Sequence, residues 1–267
     1  MVSGEIEMVL MHAFKRKVKI WLGMTVLALA MTANTPASEV ILTADGLNTT
    51  LKQVQRIQLE NEKADAAARA EGLYQMGVLV KDLAALLSEE VALYDSQQGG
   101  LINLALERTK EMGFDISWLE EKKRFIYDGK AFTEALKLDP EGTHAGESAY
   151  LLLESEFVVA AIDDEAGLQE AARRKTEYMQ RYPEHARAAE VGLLLAIDYR
   201  DLWRHYKSVA DAANETRYQE LTRQQFQHMI EQYAGARQAK IAQGLLARFE
   251  TELALPAKNP DGDVAPE

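Results

Sequence analysis

Apolar positions recur at helical spacing along most of the chain. Leu47, Leu51, Val54 and Ile57 stand three or four residues apart from about Thr43 onward, which places them on one face of an α-helix. Leu73, Met76, Gly77 and Val80 form a second stripe. Leu83, Leu86, Leu87, Val91 and Tyr94 extend it to a break at Asp95–Gly100, and Leu101, Leu104, Ala105 and Met112 continue to Gly113. Ser117 followed by Glu120 has the spacing of a capping box, so a helix is predicted from there to Leu138, stopped by Asp139-Pro140. Further helices are predicted over 144–162, 165–182, 186–210, 214–233 and 236–253. No alternating apolar run of strand type stands out. Thr50, Val54, Ile57, Asn61, Ala64 and Ala68 also allow a heptad reading, a short coiled coil with Asn61 fixing register. Two of those six are polar and two are alanine, so an amphipathic helix packed on the domain is the better reading.

Proline supports the helical picture. Between residues 38 and 255 it occurs only at 140 and 183, and Ala, Leu, Glu, Gln, Lys and Arg dominate. An all-β chain would need more turn residues. With 267 residues, 47% of them apolar, the chain can bury a core without staples. It has no cysteine, which excludes a disulfide framework, a thiolate zinc site, a thiol nucleophile and a thioether lipid anchor. The formal charge of −12 argues against a nucleic-acid partner.

The first 37 residues read as a secretory signal. Lys15, Arg16, Lys17 and Lys19 precede an uncharged run from Ile20 to Ala33, and Thr35-Pro36-Ala37 supplies small residues for cleavage after Ala37. The run is short for a bilayer-spanning helix of about 20 residues. An uncleaved anchor in the inner membrane is the alternative, and Met8 or Met11 are alternative starts. Residues 1–37 hold four basic and two acidic side chains, so cleavage leaves 26 Lys and Arg against 40 Asp and Glu, a net of −14. The expectation is an acidic periplasmic protein without stable membrane insertion after cleavage. Residues 38–116 form an N-terminal helical region, 117–254 a repeat region, and 255–267, with Pro256, Pro260 and Pro266, a disordered tail.

The repeat region has three segments that end alike. Phe132-x-x-Ala135 leads to Leu138-Asp139-Pro140, Ala171 and Tyr178 lead to Tyr182-Pro183, and Phe226-x-x-Met229 leads to Tyr233-Ala234. Each precedes a new helix, one with Tyr150, Leu153 and Phe157, the next with Gly192, Leu195, Ala196 and Tyr199, the last with Leu246 and Ala247. Large residues fill the gap between paired helices and small ones let the backbones approach. Tyr182-Pro183-Glu184-His185, Ala188-Ala189-Glu190 and Leu195-Ala196 resemble the tetratricopeptide-repeat superfamily, in the flavour of bacterial outer-membrane assembly lipoproteins and the Tol-associated periplasmic coordinator. The resemblance covers roughly 120–253. The turns are 43 and 51 residues apart, against about 34 in a regular array. It therefore implies an all-α fold: antiparallel helix pairs in an irregular, tetratricopeptide-like right-handed solenoid. A helical bundle without repeats would share these helices and prolines.

Candidate chemistry is sparse. His144, His185, His205 and His228 lack the spacing of a zinc-hydrolase helix, no phosphate loop or nucleophile elbow occurs, and no metal or cofactor is expected. Glu154-Ser155-Glu156-Phe157 resembles the Glu-Ser-x-Phe of soluble lytic transglycosylases, where the glutamate is a general acid. Val158-Val159-Ala160-Ala161 follows, without that family's next elements. The expected function is a non-enzymatic periplasmic scaffold binding a protein or peptide of the cell envelope; a glycan-cleaving enzyme of lytic transglycosylase type is the alternative. In tetratricopeptide-like proteins the first helix of each pair lines the concave face. By that resemblance the groove would hold Leu151, Ser155 and Val158, then Glu190, Leu193, Ile197, Arg200 and Asp201, and lastly Arg248. Residues 47–95 could alternatively fold over the groove and fill it.

Overall fold

The structure is a computed structural model and describes residues 42–94, 99–159 and 165–254, without the side chains of 155–159. The expected signal peptide (1–37) and tail (255–267) lie outside the described residues. Nine α-helices and one β-hairpin make up the described chain. None of these helices is long and apolar enough to cross a membrane.

Helix α1 (Ala44–Asn61) starts where Thr43 Oγ1 accepts from the Gly46 amide at 3.0 Å, and it buries Leu47, Leu51, Val54 and Ile57. It stops at Asn61. Asp65 then caps α2 (Ala66–Tyr94) by accepting from the Ala68 amide. That interruption overturns the heptad, because Ala64 and Ala68 no longer share a helix with Val54 and Ile57. The Asn61 side chain instead rests on Gly72, where a Cβ would sit 2.2 Å from its Oδ1. Helix α3 (Gly100–Glu111) ends at Gly113, in the left-handed region at φ 86°. Gln58 of α1 donates to the Met112 carbonyl at 2.8 Å and ties that end down.

The helix predicted from Ser117 to Leu138 is half wrong. Strands β1 (Ile116–Leu119) and β2 (Arg124–Tyr127) pair antiparallel with Trp118 opposite Phe125, joined by a short turn with Lys123 at φ 50°. Only α4 (Lys130–Leu138) remains helical. Ile, Trp, Phe and Tyr prefer strands, and Ile116, Phe125 and Tyr127 are buried in the period-2 sense. Glu120 caps no helix; it accepts from Trp118 Nε1 at 2.6 Å and pairs with Lys123. Ser88 of α2 accepts from the Phe125 amide at 2.8 Å, so the hairpin is fastened along the long helix. The expected start of the repeat region at 117 falls inside β1.

Helices α5 (Ala145–Val159), α6 (Glu165–Arg181), α7 (Ala188–Ser208), α8 (Ala212–Gln232) and α9 (Arg237–Ala254) lie within a few residues of their predicted bounds and pack against their neighbours. Two turns are built alike. In both, the amide three residues on donates to the carbonyl of the helix-ending residue, Gly142 to Asp139 and His185 to Tyr182; Ala236 to Tyr233 repeats it. The tyrosines at two of these ends reach back one turn. Tyr182 Oη donates to the Pro140 carbonyl at 3.3 Å, and Tyr233 Oη donates to the Pro183 carbonyl at 3.1 Å. The same bond is thus made twice, one helix pair apart.

The core follows this plan. A large cluster joins α1 to α5 and the hairpin around Phe132, Tyr127, Leu83 and Leu87, and reaches Tyr178 of α6 and Val191 of α7. Two smaller ones lie among α6 to α9, around Trp203 with Phe249 and around Phe226 with Met229. Helix α9 buries Ala239, Ala242, Leu245 and Phe249 and leaves Lys240, Gln243, Arg248 and Glu250 exposed.

Candidate binding face

The segment that opens α7 meets α5, and polar residues gather there. The Arg187 guanidinium stands 4.7 Å from the Tyr150 ring centre, with Glu190 at 3.4 Å and Glu147 at 3.9 Å. Glu147 also faces His185 Nε2 at 3.6 Å, and His185 Nδ1 lies 2.7 Å from the Tyr178 hydroxyl. One oxygen of Glu147, Oε1, is buried without a hydrogen bond among the described residues. Helix α2 adds Lys81, 2.9 Å from Glu154, and Tyr74, stacked on His144, which pairs with Glu71 at 3.0 Å. Burial, reinforced by Glu147 and Glu71, pushes the Tyr74 hydroxyl up to about 12. Burial likewise raises Asp82, beside Lys81 and Glu154.

Further along, Lys175 of α6 is paired with Asp198 of α7 inside the protein. Burial lifts the Asp198 carboxyl to about 6 and lowers Lys175, so desolvation outweighs the attraction of the pair. Arg200 holds Asp201 at 3.3 Å, and Arg204 joins Asp201 at 3.6 Å to Glu252 of α9 at 2.9 Å.

The expected groove residues divide. Leu151 and Leu193 are 3% and 6% exposed and fill the core, so neither offers a side chain to a partner. Leu193 packs with Ala196, Phe226, Met229, Ala242 and Leu245. Glu190, Ile197, Arg200 and Asp201 are half-buried on α7, and Arg248 is exposed on α9. Ser155 and Val158 lie on α5 with side chains outside the described set. The stripe that reaches the surface of α7 is Arg187, Glu190, Leu194, Ile197, Asp201 and Arg204, at steps of three and four. Leu194, one step from the expected Leu193, could have been found from Glu190 and Ile197 by the same spacing. Arg187 and the Lys175–Asp198 pair had no sequence signal, since their partners lie on other helices.

The opposite side is opened by clefts. One of about 310 Å³ lies where α4 and α6 diverge over α5, and one of about 680 Å³ where α6 and α8 diverge over α7. Among the described residues no group of three or more His, Asp or Glu is placed to hold a metal ion. No protein-family model matches the chain, and no curated protein matches its sequence.

Proposed function

We propose that the chain is a non-enzymatic helical-repeat scaffold of the bacterial envelope, a tetratricopeptide-like right-handed solenoid that binds a protein or peptide. The observation that carries this reading is the repeated turn, with Tyr182 bonded to Pro140 and Tyr233 to Pro183. First helices α5 and α7 touch through Arg187, whereas second helices stand apart at the two clefts. Contact on the Arg187 side and clefts on the other would curve such an array. The inner side then bears the α7 stripe, apolar at Leu194 and Ile197 and charged around them, a mixture suited to a peptide. Glu154 has a structural task already, in its pair with Lys81. The basic, apolar and small segments of residues 1–37 support export to the periplasm with signal cleavage near Ser38.

The test joins capture to turnover. Tagged full-length protein expressed in a bacterial host should retain an envelope protein, identified by mass spectrometry, and wild type and Glu154→Gln should both leave peptidoglycan uncleaved. Glycan release by wild type that Glu154→Gln abolishes would replace the scaffold by an enzyme. N-terminal sequencing should begin near Ser38; intact chain confined to the cytosol would overturn the location.

A further inference from the structure

The larger cleft differs in chemistry from its counterpart one pair earlier. Both lie where two second helices diverge over a first helix, so architecture alone would treat them alike. The smaller is lined by Arg173, Arg174, Arg181 and Glu177 among its ten residues. The larger has fifteen described lining residues, of which none is lysine or arginine and one, Glu184, is a carboxylate. A chain with 27% charged residues would be expected to place about four there. Its neutrality is therefore a property of this site and not of the fold.

The lining has a consistent pattern. Gln180 stands on the α6 wall and Gln225 and Gln232 on the α8 wall, above a floor of Met179, Leu195 and Tyr199. The floor is braced: Thr176 Oγ1 lies 3.1 Å from Tyr199 Oη, and Gln225 Nε2 donates to the Gly192 carbonyl at 3.3 Å. A glutamine amide offers a donor and an acceptor together, the same pair that each peptide unit presents. A methionine floor adapts to different apolar side chains. About 680 Å³ is the size of a site that buries a few residues of chain.

We propose that the α6–α8 cleft is a docking site for an extended, uncharged peptide segment. Glutamine amides on both walls clasp its backbone, and one apolar side chain rests on the Met179–Leu195 floor. Without lysine or arginine, only His185 and His228 among the described lining residues could pair with an acidic segment, and Glu184 alone gives basic ones little. The inference rests on the scaffold reading and adds a second surface to it.

The test is an array of capped hexapeptides probed with the full chain. One set is uncharged with a central Leu, Phe or Met; two matched sets carry Lys or Asp at the centre. The uncharged set should be retained about tenfold better than either charged set. Gln180→Ala with Gln232→Ala, both exposed positions, should remove most of that retention without changing the melting curve. Equal retention of charged peptides, no retention of any set, or retention indifferent to the double variant would each overturn the proposal. The same variant in an envelope capture separates the two readings: a partner still held through the α7 stripe leaves the scaffold standing while the cleft assignment falls.

Discussion

Residues 42–138 and 145–254 hold themselves together in different ways. In the first region one cluster gathers α1, α2, α3, the hairpin and α4 around a single long helix, and it extends to Tyr150, Leu151 and Leu153 of α5, Tyr178 of α6 and Val191 of α7. In the second, smaller clusters form among neighbouring helices, and the turn before α9 repeats the bond of the turn before α7, Ala236 to Tyr233 as His185 to Tyr182. The first region is a long-range core, closed only when distant segments meet. The second is built of neighbouring helices, each packed on the next. The array proposed above would leave two faces uncovered along its length, where a core buries its side chains.

The largest expected effect lies in the first region. Phe132 is fully buried against Tyr127, Tyr74 and Gly77. Phe132→Ala should cost about 3–5 kcal/mol in chemical denaturation and loosen hydrogen exchange throughout α1 to α5. Phe249→Ala, at 1% exposed, should cost as much locally yet leave exchange in α1 to α3 protected. Equal loosening of both regions by either variant would erase the distinction.

The buried pair between α6 and α7 comes next. Lys175→Met alone strands Asp198 and should cost about 3–5 kcal/mol, whereas Lys175→Met with Asp198→Leu should fall within about 1 kcal/mol of wild type. A double variant as unstable as the single one would mean that the pair contributes to stability outright. The same carboxyl sets a pH dependence. With Asp198 lifted from 3.8 to about 6, the folded chain holds a proton there that the unfolded chain releases. That contribution is therefore present at acid pH and lost as pH rises through this window. Asp198→Asn should flatten the corresponding slope of the urea midpoint; an unchanged slope would locate the titration elsewhere. Smallest of all, Arg204→Ala breaks an exposed pair with Glu252 and should cost no more than about 1 kcal/mol.

Legibility in the sequence followed the same division. The second region repeats a local signal: prolines at 140 and 183 punctuate it, and the apolar period sets the helix bounds to within a few residues. The hairpin was hidden because Ser117 and Glu120 mimic a capping box, while the aromatic alternation that decides for strands is split across a turn. The false heptad failed at Asn61, where close contact with Gly72 outweighs a periodicity that alanine barely marks. On the candidate face, the expected Glu190, Ile197 and Asp201 are half-buried on α7, whereas the expected Leu151 and Leu193 fall in the core. A one-residue error moves a side chain 100° around a helix, enough to bury it. Arg187 and Tyr150 meet across two helices, which no local pattern encodes.

The central claim is that α7 carries an accessible binding stripe on a core that does not depend on it. Leu193 and Leu194 are adjacent and chemically identical, yet Leu193 packs with Phe226 and Met229, a cluster that Ile197 also touches, while Leu194 lies half-buried outside it. The direct measurement compares Leu194→Glu, at the stripe position that joins none of the buried clusters, with Leu193→Glu, each scored for melting temperature and for retention of the captured envelope partner. The account predicts that the stripe variant melts close to wild type and loses its partner, while Leu193→Glu melts far lower because a charge enters the core. A stripe variant that melts as low as Leu193→Glu, or that keeps its partner, would contradict it.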